Sequence, residues 1–74
     1  MKRSIDDAGV DRFARAMRAK LAEKAAEGKY GWDDPDVCDI DELKGMLIEH
    51  VEKGDPVDIA NFCMMIWNRE RSKS

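Results

Sequence analysis

Lys53-Gly54-Asp55-Pro56-Val57-Asp58-Ile59-Ala60-Asn61-Phe62-Cys63-Met64-Met65-Ile66-Trp67 decides the fold. Gly54 suits the left-handed conformation that closes one helix. Asp55 can accept hydrogen bonds from the free amides of the next helix, and Pro56 fits its first position because no donor is wanted there. Asp58 falls in the first turn, near the positive end of the helix. The stretch is therefore a tight corner between two helices. The helix that leaves it is expected over 56–69. Residues about 100° apart place Asp58, Asn61, Met65 and Asn68 in one narrow stripe. Val57, Ile59, Ala60, Phe62, Cys63, Met64, Ile66 and Trp67 make the rest of its circumference apolar. Such a helix is normally central.

The helix that enters the corner is expected over 39–53. Asp39-Ile40-Asp41-Glu42 has the form of a capping box, Asp39 as cap and Glu42 returning to it. Ile40, Leu43, Met46, Leu47 and Val51 recur on its inner face, with His50 at the edge of that stripe. Glu49 and Glu52 project away from it. No serine or cysteine is spaced so as to pair with His50, which reads as a partly packed boundary residue.

A first helix is expected over 5–27. Ser4-Ile5-Asp6-Asp7 puts acids in the first turn, and Val10, Phe13, Ala14, Met17, Leu21 and Ala25 share one face. Gly28 is its terminator, and Gly9 marks residues 1–9 as a candidate frayed end, as 70–74 are at the other terminus. Lys29 to Cys38 contains Gly31 and Pro35 and reads as an ordered loop. Its Trp32 either folds back over the core or stacks on a ligand. Trp32, His50 and Asn61 are the candidate ligand contacts.

The fold expected is thus one all-α domain of three helices over residues 1–74, with a tight hairpin of the second and third. The expected core is Phe13, Met17, Leu21, Leu43, Leu47, Val51, Ile59, Phe62, Cys63 and Ile66. Two partner helices can hardly cover a third helix that is apolar nearly all round, so self-association into a larger bundle is expected. Met64, Met65 and Trp67 are its interface, since methionine and aromatic side chains suit such surfaces.

Composition narrows the function classes. Seventy-four residues lie near the size at which a single core is only marginally stabilising. The two cysteines make no disulfide framework, and Cys38, Cys63 and His50 lack the paired spacing of a zinc site. No stretch has the form of a secretory signal, and the run from Ile59 to Trp67 is too short to span a bilayer. A cytoplasmic protein with no membrane partner is expected. The net charge of −3 argues against a nucleic-acid partner, because phosphate contacts need clustered cations. The charge is uneven: residues 1–30 carry eight Lys/Arg against five Asp/Glu, and residues 31–53 carry two against eight.

The run from Glu49 to Met65 resembles a segment of small phage and prophage proteins, as does the Gly31-Trp32-Asp33-Asp34-Pro35 loop with its following Cys38. Some of those proteins are labelled dATP/dGTP diphosphohydrolase-like, and they are distantly similar to MazG-type nucleotide pyrophosphohydrolases. The likeness covers roughly residues 11–69. It implies an all-α, oligomeric protein in a host cytoplasm. It also implies a Mg²⁺ site of paired carboxylates, onto which Glu49 with Glu52 and Asp55 with Asp58 map. Carboxylates suit a hard ion that bridges to substrate phosphates.

Two functions follow. The first is a small phage-type interaction protein without catalysis and without a cofactor, binding itself and a host or phage protein. The alternative is a Mg²⁺-dependent (d)NTP pyrophosphohydrolase with its site formed in an oligomer.

Overall fold

The corner after Lys53 forms as its residues dictate. In this computed structural model, which describes residues 3–71, Gly54 has φ +82° and its amide donates to the His50 carbonyl at 3.0 Å. Asp55 Oδ1 then accepts from the amides of Val57 (3.0 Å) and Asp58 (3.4 Å). The three helices are α1 (Arg3–Ala26), α2 (Ile40–Lys53) and α3 (Pro56–Arg71), and no other regular element occurs among the described residues. α1 begins earlier than the sequence predicts and runs straight through Gly9. One interior glycine costs only about 1 kcal/mol, too little to interrupt so long a helix. The frayed-end expectation concerned 1–9 and 70–74; residues 3–9 and 70–71 are helical, and the remainder lie outside the described residues.

The caps define the loop. α1 closes with the Lys29 amide on the Lys24 carbonyl (2.9 Å) and the Gly28 amide on the Ala25 carbonyl (3.0 Å). These two bonds are the Schellman pair that ends many helices. α2 opens with the expected capping box: Asp39 Oδ2 accepts from the Asp41 amide, and the Asp39 amide donates to Glu42 Oε1 at 3.0 Å. Between them, the Asp34 carbonyl accepts from Val37 and Cys38, and Asp34 Oδ1 accepts from Asp36. Its own main chain thus closes the turn within the loop. Gly31 is required there, because φ is +95° and an added Cβ would sit 2.8 Å from Val37 Cγ1.

α3 is central. Both other helices pack on it, and α1 and α2 do not pack on each other. α2 and α3 form the expected antiparallel hairpin, tied at its open end by Lys44 and Glu70 at 3.3 Å. α1 also runs antiparallel to α3. Lys20 meets Asp55 (3.7 Å) and Asp58 (3.6 Å) at one level, and Met17 meets Asn61 a turn further along.

The core is thinner than the sequence predicts. Leu43 is 1 % exposed and is the one fully buried apolar side chain among the described residues. Met17, Leu21, Leu47, Ile59, Phe62 and Ile66 are half-buried. Phe13, Val51 and Cys63, expected in the core, are exposed. The reasons are geometric. The inner face of α2 centres on Leu43 and His50, and helical spacing turns Val51 about 80° from it. Cys63 lies on the side of α3 that neither neighbour reaches, and no third helix covers Phe13.

The stripe through Asp58, Asn61, Met65 and Asn68 faces inward. Asn61 is 4 % exposed, and each polar member finds a protein partner. Asp58 pairs with Lys20, Asn61 Nδ2 donates to the Met17 carbonyl at 3.3 Å, and Asn68 Nδ2 donates to the Met64 carbonyl at 2.9 Å. Such pairing is what makes polar burial tolerable.

Candidate functional site

Because α1 and α2 stand apart across α3, a cleft of about 540 Å³ opens between them, with the loop as a further wall. That volume is in the range of small-molecule sites, roughly 300–1,000 Å³. Trp32, His50 and Asn61, far apart in the chain, come together in its lining with Met64 and Met65. Trp67 does not line it.

Each wall is held by a specific contact. Arg69, from the last turn of α3, donates through Nη1 to the carbonyls of Trp32 (2.7 Å) and Cys38 (2.8 Å). One guanidinium thus clamps both ends of the loop that carries Trp32. His50 Nδ1 lies 2.8 Å from the Met46 carbonyl oxygen, and since a carbonyl only accepts, that nitrogen carries the proton. Its ring leans on Phe62 with centroids 4.8 Å apart. Tyr30 stands at the mouth, 74 % exposed.

The electrostatics differ from the chain's average. The charged residues lining the cleft are Lys20, Lys24, Lys29 and a single carboxylate, Asp58. Asp58 above all, with Asp55 and Glu23, raises the Lys20 ammonium above its ordinary value against an opposing loss of hydration. Burial pushes the Asp55 carboxyl up. The Val57 and Asp58 amides and Lys20 outweigh that push and hold it below the usual range. Burial, with help from Glu42, raises the Cys38 thiol. A raised thiol is a poor nucleophile at neutral pH, and Cys38 and Cys63 are both free.

The four carboxylates of the Mg²⁺ alternative do not assemble within one chain. Glu49 and Glu52 are exposed on α2, while Asp55 and Asp58 are occupied as cap and as partners of Lys20. Among the described residues no three His, Cys, Asp or Glu side chains come close enough to hold a metal ion. Nor is any helix of the described residues long and apolar enough to cross a membrane.

The three interface candidates separate. Met64 and Met65 are half-buried against the cleft, whereas Trp67 is 62 % exposed on the outer side of α3. Exposed Cys63 lies one turn before it, and the Arg71 guanidinium sits 5.0 Å from its ring centroid.

Sequence reasoning missed Arg69 and the lysines of the mouth. A solvent-facing cation near a helix end looks like many others, and only the loop's return path reveals which carbonyls it meets. Comparison with protein families, with curated proteins and with solved structures returns no match.

Proposed function

We propose that this chain is a small phage-type interaction protein without catalytic activity. It pairs with a second copy of itself through the outer face of α3, and the pair binds a host or phage protein. The observation that carries the reading is Trp67, an indole left 62 % exposed on the central helix. Burying an aromatic of that size recovers about 2–4 kcal/mol from area alone. Tryptophan and arginine are also the residues most often found at the energetic centre of interfaces, and Arg71 already stacks on this ring. The phage-type label rests on the sequence resemblance of residues 11–69.

Light scattering at micromolar concentration is expected to give at least a dimer, and Trp67→Glu is expected to give a monomer with unchanged helicity. A wild-type mass equal to one chain over a wide concentration range defeats the self-pairing. Bait protein in host lysate is expected to retain a partner that the Trp67→Glu bait loses.

A further inference from the structure

We propose that the cleft between α1, α2 and the loop binds a small aromatic anion whose ring system carries a hydrogen-bond donor. Three independent features of the cleft specify those three properties. Its walls carry the flat side chains of Trp32, Phe62 and Tyr30, and a ring system fits between such faces. Its charge is locally reversed. In a chain of net charge −3 the lining has three lysines against one aspartate. Lys20 is committed to Asp55 and Asp58, but among the described residues Lys24 and Lys29 hold only the exposed Glu27, at 3.8 Å. Pairs of that kind contribute little, so an incoming carboxylate, sulfonate or phosphate competes for them easily.

The third feature is Asn61. Its Oδ1 is buried and has no hydrogen-bond partner among the described residues, on a side chain that is 4 % exposed and lines the cleft. A buried acceptor without a donor is destabilising and uncommon in folded proteins. A donor carried on a bound ring system at this wall supplies the partner that the described residues do not. The ligand therefore lies with its donor toward Asn61, its ring between the aromatic walls and its anion at the mouth with Lys24 and Lys29. This reading is independent of self-pairing, because Trp67 is not part of the cleft.

A matched pair of probes tests it. 6-Anilinonaphthalene-2-sulfonate has an aromatic N–H and an anion on opposite sides of its ring system; N-phenyl-2-naphthylamine has the same rings and N–H without the anion. Fluorescence titration is expected to show saturable binding of one sulfonate probe per chain, at least tenfold tighter than the neutral probe. The double substitution Lys24→Gln with Lys29→Gln is expected to remove that tenfold advantage and leave the neutral probe unchanged. Asn61→Leu is expected to weaken both probes about tenfold while raising the melting temperature, since the unpaired acceptor is gone. Trp67→Glu is expected to alter neither. Equal affinity for the two probes overturns the proposal, as does indifference of the sulfonate probe to the lysine substitutions. Loss of binding on Trp67→Glu also overturns it and places the probes on the outer face of α3. If Asn61→Leu does not fold, the lysine pair alone still decides.

Discussion

Arg69 donates to the carbonyl of Trp32 at 2.7 Å, joining the last turn of α3 to a loop residue thirty-seven positions earlier. The same nitrogen reaches Cys38 at 2.8 Å, so one side chain fixes where Trp32 stands. Bonds of this charge-assisted kind contribute about 1.5–3 kcal/mol each when partly buried. Arg69→Ala is expected to lower stability by about 2 kcal/mol in urea unfolding and to shift Trp32 emission toward the red. Arg69→Lys is expected to recover little, because the shorter lysine side chain does not carry its nitrogen to the point between the two carbonyls that Nη1 occupies. Unchanged emission in both variants would show that the loop holds itself.

Gly31 is the second control on the loop. With φ at +95° and Val37 Cγ1 2.8 Å from the position of an added Cβ, Gly31→Ala meets both a strained backbone and a clash. A loss of about 1–3 kcal/mol is expected. Adding Val37→Ala relieves the clash and leaves the backbone strain, so the double variant is expected to regain only part. Full recovery would mean the φ requirement contributes nothing.

The Lys20, Asp55 and Asp58 group predicts the pH dependence. The folded Asp55 carboxyl is held below its unfolded value, which is about 3.9. Its contribution is complete above that value and is lost as pH falls through the lower folded one. Lys20 is raised when folded. Its contribution is complete below about 10.4 and is lost as pH rises through the higher folded value. For this group the urea midpoint is expected to be flat from about pH 5 to 9, with a fall at each end. Asp55→Asn keeps a capping acceptor and removes the charge, so it is expected to flatten the acid limb. An acid limb identical to wild type would assign the dependence to other carboxylates.

The carboxylates of α2 provide the test of catalysis. Purified protein with Mg²⁺ and a panel of dNTPs is expected to release no pyrophosphate. Release that disappears in both Glu49→Ala and Glu52→Ala would replace the interaction reading with the pyrophosphohydrolase alternative, its site assembled between chains.

Local rules carried most of the fold. Gly54, Asp55 and the Asp39–Glu42 box act through neighbours in sequence, and each forms as its residue type requires. The spacing of Leu43, Leu47, Phe62 and Ile66 likewise placed their helices' packed sides. What sequence could not supply was the relation between α1 and α2, which among the described residues each dock on α3 and not on each other. From that unreadable separation come the cleft and the exposure of Phe13. Trp32, His50 and Asn61 were readable as candidates one at a time. Their meeting in one cleft was not, because it depends on a loop path fixed by Arg69.

Since α1 and α2 each dock only on α3, the molecule is an open book, with α3 as the spine. α1 can lift away while the α2–α3 hairpin stays whole, because that hairpin keeps its own turn and its Lys44–Glu70 tie. Such partial opening takes less free energy than complete unfolding, and amides of α1 therefore exchange with solvent ahead of those in the hairpin. A ligand held between the covers touches both of them, so it also fastens them shut.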